Sequence, residues 1–508
     1  MTKSKNKKWS KKLKQKMYKW HRTLGIITII PVIFWCISGL MHPVMAHWFK
    51  PTIAHEKLEV KPIDSTQIKL SIGDVLEKNK IPVFKNFHLV AFNNTTYYQI
   101  KTTKENEVLY FDAQTAEELK NGDQIYAEWL SRYFIEDQKS KLASLSLVTE
   151  FDSQYKYVNR YLPVWKVTFE RDDAMDVYVE TTSSKLATYN PTSRKIQLWI
   201  FDNFHNWSFL EAISNNALRI IVMLLLLGII AISAISGIVI YGFFWKVFKK
   251  TPVTENESKF KKHHRKIGIA VAFVTFTFTF SGGYHALTKW EPYVLDKMVF
   301  TPDFKATDFQ SNHLDLKPDS TWTDVSLIQF KNKNYYQVRL APNEEGEVQN
   351  KYIDSKTAVE TPNLEAQYAE FLASKFAKMM VKDTALPADC CDVENTNSCI
   401  KNAKLLNTEY LYQFDNREYG FVNKRLPVVK LSYDTADKAT FYIEPATSRL
   451  AALVTDSKRT EGYSFAILHK YLFMDWAGKN IRDLVMALSA LGVLVVSLLG
   501  LYLFLKRK

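Results

Sequence analysis

Histidine is the residue type through which this chain could do chemistry. Of its eleven histidines, six fall into register in a duplicated pattern. An offset of 243 residues carries His21-Arg22 onto His264-Arg265, Gly25 onto Gly268, Ser38-Gly39 onto Ser281-Gly282 and His42 onto His285; an offset of 264 carries His205 onto His469. Neutral imidazole ligates iron well. These histidines sit at the ends of apolar runs, where an ionisable group is costly and marks a functional site. Hydrogen bonding to lipid headgroups would explain any one of them. It does not explain three pairs at corresponding positions. His21 and His264 are each followed by arginine in a basic segment, where headgroup anchoring is a sufficient account. His42, His205, His285 and His469 therefore take first place as ligands, and His21 and His264 second.

The elements that must position them are membrane helices. Leu24 to Ala46 contains no charged residue, and about 20 helical residues cross a ~30 Å hydrocarbon core. Pro31 lies inside this run and is tolerable in a membrane helix when neighbours satisfy the freed carbonyl. The run is longer than a signal-peptide core and ends in His and Trp without a small-x-small site, so it reads as an uncleaved anchor. The sequence predicts four spans, at 23–48, 217–246, 266–289 and 482–505.

The net charge is +14 over 508 residues. That excess is not spread as a nucleic-acid binder would spread it. Residues 1–22 hold ten Lys or Arg and no acid, 246–266 is strongly basic, and the chain ends Lys506-Arg507-Lys508. All three segments abut apolar runs, which is the positive-inside pattern. Both termini and the middle loop (247–265) are therefore expected in the cytoplasm, with the loops 49–215 and 290–480 outside. No nucleic-acid partner is expected.

Each long loop reads as a mixed α/β domain. SIGDVLEKN suggests a helix, and FKNFHLVAF, TYYQIKT and EVLYFDAQT suggest strands between turns. The second loop repeats the order: Tyr97-Tyr98-Gln99 echoes Tyr335-Tyr336-Gln337, and Leu162-Pro163-Val164 echoes Leu426-Pro427-Val428. The repeat unit is thus span, α/β domain, histidine, span. The loops' aromatics read as core. Three of the four cysteines, Cys390, Cys391 and Cys399, lie in an insertion of the second loop. With no CxxC pair and an outside location, a disulfide from Cys399 to Cys390 or Cys391 is expected in preference to a metal site.

HRTLGI opening a span, Ser-Gly-x-x-His closing it, the strand-turn-strands VYVETTSSKLA and FYIEPATSRLA, and a histidine shortly before the next span together carry a resemblance. The chain resembles the PepSY-associated transmembrane proteins, in two copies that cover nearly its whole length. Within them it is similar to the four-span, dihaem inner-membrane reductases of bacterial ferric-siderophore uptake. After the histidine preceding spans two and four the family often has a small or glycine-rich continuation; here Asn206-Trp207 and Lys470-Tyr471 follow. The resemblance implies an α-helical membrane protein with four transmembrane helices in two tandem repeats and two extracytoplasmic α+β PepSY-like domains. It implies a bacterial inner membrane, two haems b, and haem-dependent reduction of a ferric siderophore or other chelate on the periplasmic side.

The residues agree with haem, which needs two imidazoles and an apolar slot between helices. Ser38-Gly39 and Ser281-Gly282 precede His42 and His285 by three to four residues and share their helix face. Two pairings are open. Each repeat can hold its own haem, His42 with His205 and His285 with His469; this one is preferred, because both ligands then lie at one depth. Alternatively, His21 pairs with His264 across the repeats, with one haem near each membrane face. No Gly-x-Gly-x-x-Gly follows a strand, so electrons must come from a quinol or a cytoplasmic reductase. A non-enzymatic sensor or binding module for peptides, proteases or envelope partners is the alternative. A transporter is disfavoured by the shared orientation of the repeats.

Overall fold

The computed structural model describes residues 2–240, 255–290, 295, 297–309, 320–382, 403–415 and 418–506. Cys390, Cys391 and Cys399 lie outside the described residues, and so does the disulfide expected of them.

In chain order, α1 (Thr2–Pro43) runs through Pro31 and closes in a π turn, Val44–Trp48. There follow α2 (Ile72–Lys78), β1 (Val83–Phe92), β2 (Thr95–Thr102), β3 (Val108–Asp112), α3 (Gly122–Ile135) and β4 (Leu142–Val148). Next come β5 (Val164–Phe169), β6 (Asp176–Glu180), β7 (Lys185–Asn190), α4 (Thr192–Phe204), α5 (Ser208–Ile213), α6 (Asn216–Ile238) and α7 (Glu255–Leu287). The second half has β8 (Phe304–Lys305), β9 (Trp322–Phe330), β10 (Lys333–Leu340), β11 (Asn350–Asp354), α8 (Leu364–Lys382) and β12 (Leu405–Leu411). It ends with β13 (Val428–Tyr433), β14 (Thr440–Glu444), β15 (Arg449–Val454), α9 (Asp456–Leu468) and α10 (Lys479–Leu505). The order of elements from β1 to α6 recurs from β9 to α10, save that the turn before α10 is 3-10 where α5 stands in the first half.

The chain divides into a helix unit (Met1–Pro51, Arg194–Pro292, Lys458–Lys508) and a sheet unit (Thr52–Ser193, Tyr293–Ser457). In the helix unit four helices are long and apolar enough to cross a membrane: Lys16–Trp48, Asn216–Ile238, Lys259–Leu287 and Lys479–Leu505. Their outer faces expose Ile30, Leu225, Phe273 and Leu488, a surface suited to lipid and not to water. α1 packs on α6 and α10, and α7 packs on the same two, which closes a four-helix bundle. Hydroxyls inside it are satisfied along their own helices: Thr28 donates to the Leu24 carbonyl at 2.9 Å and Thr275 to Val271 at 2.9 Å. α10 approaches α7 closely at Gly492, where a Cβ would lie 2.7 Å from Val271 Cγ1. Asn215 caps α6 by accepting the Leu218 N–H at 2.9 Å. From Arg194 onward α4, with α5, groups with these helices, so the first loop's domain ends before the 215 expected from the sequence.

The sheet unit draws on both long loops, where the sequence suggested a separate domain for each. β3-β2-β1 form an antiparallel sheet whose outer edge is completed by β8 from the second loop, with Val83 opposite Lys305 and Phe84 opposite Phe304. β11-β10-β9 form a second sheet, and both share one core that contains Phe84, Ile100, Phe309, Leu327 and Val338. α3 packs over the sheet β4-β5-β6-β7, and α8 packs over β12-β13-β14-β15. Between the latter two sheets lies a buried ionic cluster. Arg425 Nη1 donates to Glu444 Oε2 at 2.8 Å, Lys185 Nζ lies 3.0 Å from Glu444 Oε1, and Arg425 Nη2 lies 3.6 Å from Glu180 Oε1. The guanidinium also lies over the Tyr161 ring, 4.7 Å from its centroid.

Candidate functional site

All six repeated histidines lie in the helix unit. The bundle brings four of them together in two diagonal pairs. His21 on α1 faces His264 on α7 with ring centroids 6.4 Å apart, and His205, just past α4, faces His469, just past α9, also at 6.4 Å. A metal–imidazole bond is about 2.0–2.1 Å and the ring centroid lies about 1.1 Å behind its nitrogen, so two imidazoles sharing one metal hold their centroids about 6.3 Å apart. The match holds at both ends of the bundle. His21 and Ser38, the residue that anchors the second pair, are separated by about 25 Å of helix.

Hydrogen bonding fixes the tautomer of all four rings. His264 Nδ1 lies 3.0 Å from the Val496 carbonyl, which can only accept, so Nδ1 carries the proton. His21 Nδ1 likewise donates toward the Ser233 carbonyl at 3.1 Å and Ser236 Oγ at 3.0 Å. Ser38 Oγ spends its single hydrogen on the Phe34 carbonyl at 2.7 Å, so at 3.1 Å it accepts from His205 Nδ1. Ser281 Oγ spends its hydrogen on Thr277 at 2.7 Å and accepts from His469 Nδ1 at 3.2 Å. In every case the lone pair is left on Nε2, the arrangement in which an outer hydrogen bond orients a metal-binding imidazole. Burial, reinforced by the neighbouring histidines, lowers the pKa of His205 to about 4 and of His469 to about 3, which keeps both rings in the neutral, ligating form.

Glycines stand where the rings need clearance. A Cβ on Gly237 would lie 3.1 Å from His21 Cε1, one on Gly500 would lie 3.3 Å from His264 Cε1, and one on Gly282 would lie 3.7 Å from His469 Cε1. Among the described residues no group of three or more His, Cys, Asp or Glu could hold a bare metal ion. Two opposed imidazoles with no third protein donor would suit an iron whose remaining ligands come from a macrocycle, so the donor set fits haem.

His42 and His285 are placed differently. Phe201 contacts both His42 and His205, with ring centroids 6.0 Å and 4.5 Å away. Phe465 is stacked between His285 at 4.3 Å and His469 at 4.7 Å. Among the described residues ring contact thus runs from His42 and His285 to these phenylalanines, and not directly to His205 or His469. His285 Nδ1 instead meets Glu461 Oε1 at 2.5 Å. Sequence reasoning passed over Phe201, Phe465, Gly237 and Gly500. The signal was present, since each phenylalanine stands four residues before its histidine in both halves and the glycines correspond at an offset of 263.

The model of the PepSY-associated TM region matches residues 98–507. The chain belongs to the PepSY-associated transmembrane family. A search of curated proteins finds no match to it. The residues two places after the histidines share a backbone feature in this PepSY-associated protein. Trp207 and Tyr471 both adopt positive φ, 57° and 55°, a region that favours glycine. Their rings compensate by packing back on the bundle: Trp207 lies 5.3 Å from Trp35, and Tyr471 lies 5.7 Å from Phe278. Trp35 Nε1 also donates to the His205 carbonyl at 2.9 Å, which fixes the main chain of that residue.

Proposed function

We propose that this protein is a dihaem electron-transfer protein of the bacterial inner membrane that reduces a ferric siderophore or similar ferric chelate on the periplasmic side. The observation that carries the reading is the double one: two imidazole pairs, each at 6.4 Å and each with Nδ1 held by an acceptor. His205 and His469 would hold one haem b, and His21 and His264 the other. When bound, haem supplies one-electron exchange at its iron. The chain's own residues do the rest. Ser233, Ser38, Ser281 and Val496 orient the imidazoles, Gly237, Gly500 and Gly282 keep the space beside them clear, and Phe201 and Phe465 stack on the rings of the second pair. Placing one pair near each end of the bundle supports passage of electrons across the membrane, from a quinol or a cytoplasmic reductase toward the outside. The basic segments flanking the spans support cytoplasmic termini.

The test is the optical spectrum of detergent-purified protein with and without dithionite. Sharp low-spin b-type bands, with about two haems per chain by pyridine haemochrome, are the expected result. A colourless, folded preparation would leave the sensor or binding-module reading in possession.

A further inference from the structure

The sheet unit contains a cleft whose polar lining is out of balance. Lys85, His88, Gln99, Lys101, Glu180 and Arg449 line it. Strand pairing sets His88 opposite Gln99 and Asn86 opposite Lys101, and Gln99 and Lys101, two residues apart on β2, project from one face of the sheet.

Two groups there are unsatisfied. Lys101 is largely buried, yet among the described residues its ammonium has no hydrogen bond or ion pair. Burial and then Arg449, with Lys85 adding to them and Glu180 opposing, lower its pKa. The one nearby carboxylate is already engaged: Glu180 accepts from Ser183 and faces the buried Arg425 at 3.6 Å. Lys85 is paired with Asp303 at 2.7 Å. The other unsatisfied group is Gln99, which is 1% exposed. Its Nε2 donates to the Thr181 carbonyl at 3.1 Å, and its Oε1 has no partner. A buried acceptor left unmet costs about 1–3 kcal/mol.

The corresponding place in the second half is satisfied. Gln337 on β10 accepts from Ser326 Oγ at 3.2 Å and donates to Tyr352 at 2.9 Å. Opposite Gln99 the serine's place is taken by His88, which turns away to Asp324 at 2.8 Å. One copy of the fold has thus closed this polar position, and the other has left an acceptor open beside a cation without a counterion.

We propose that the cleft binds a small hydroxycarboxylate, its carboxylate seated between Lys101 and Arg449 and its hydroxyl donated to Gln99 Oε1. The proposal does not rest on haem. The ligand's source can be a free hydroxy acid or the same acid as a ligand of ferric iron.

The test is calorimetric titration of the full-length protein in detergent, in phosphate-free buffer, with citrate, with ferric citrate, and with tricarballylate, which keeps three carboxylates and lacks the hydroxyl. Saturable one-to-one binding of citrate is expected. Tricarballylate should bind about tenfold more weakly, and Lys101→Met and Arg449→Gln should each weaken citrate at least about tenfold with the melting temperature unchanged. Tighter binding of ferric citrate would identify the iron complex as the source, and equal or weaker binding would identify the free acid. Absence of saturable binding below about 5 mM, equal affinity for tricarballylate, or unchanged affinity in both variants would overturn the proposal. The same titration on His205→Ala protein should give the same affinity, so failure here is distinguishable from failure of the haem reading.

Discussion

The diagonal pairing makes a prediction in double mutants that the within-repeat pairing cannot share. If His205 and His469 serve one site, replacing either by alanine leaves that iron a single imidazole, and replacing both removes no more than that same haem. Haem per chain should fall from about two to about one in each single variant, and stay near one in the double variant. His21→Ala combined with His205→Ala should instead take it to zero, because these residues belong to different pairs. Under within-repeat pairing the outcomes change: His205→Ala with His469→Ala would abolish both haems, and His21→Ala would spare both. A graded version uses Ser38→Ala, which deletes the acceptor 3.1 Å from His205 Nδ1. A buried N–H left without an acceptor costs about 1–3 kcal/mol, and loss of an outer-shell partner lowers metal affinity about 10–100-fold. Ser38→Ala should therefore release haem at one site on dilution or competition with apo-myoglobin, while the other site holds. Haemochrome content and the reduced-minus-oxidised spectrum read all of these. A double His205/His469 variant that is colourless would refute the geometric reasoning.

Four further outcomes are expected. Gly237→Val places a branched side chain where even a Cβ would be 3.1 Å from His21 Cε1; it should abolish the site shared by His21 and His264 and leave the other spectrum intact. Arg425→Met takes from Glu444 one of the two cations, Lys185 and Arg425, that against the upward pull of burial hold it well below the ordinary carboxylate range. Breaking such a buried pair costs about 3–5 kcal/mol, seen as earlier unfolding of the sheet unit in denaturant. In the unaltered protein the Glu444 contribution is complete above the unfolded value near 4.5 and is lost as pH falls from there toward the lower folded value, so stability should decline on acidification and Glu444→Gln should flatten that decline. Reporter fusions at Lys120 and Lys356 should register outside and one at Glu255 inside; a cytoplasmic signal from either long loop would reverse the orientation.

What could be read from the sequence followed the physics of each feature. The spans were legible because lipid demands long uncharged helices, and the runs around Leu24–Ala46 and 482–505 satisfy that demand locally. The histidines were legible because they recur in register. The pairing of His205 with His469 was not, and that of His21 with His264 stood only second, since depth along a helix says nothing about which diagonal of a four-helix bundle two side chains share. The serines stand beside that point: Ser38 lies on the face of His42, yet its hydroxyl is aligned by Phe34 to receive His205. α4 reads as part of a loop domain by charge, but Ile196 and Trp199 remain exposed on it while it delivers Phe201 to the bundle. The open position at Gln99 is visible only against Gln337, through a serine-to-histidine change on the neighbouring strand that no local pattern flags.

β8 is two residues long, yet it ties the two halves of the gene product together. Phe84 meets Phe304 across more than two hundred intervening residues, and the core that Phe84 enters also takes Phe309, Trp322 and Leu327. During synthesis the first loop leaves the ribosome while those residues do not yet exist. β1 must wait through two further membrane insertions with its edge unpaired, the state in which strands add to other chains. A chain halted after α6 would carry a complete pair of spans and still be unable to close its first sheet. Separating the halves into two genes would therefore require that they be made together.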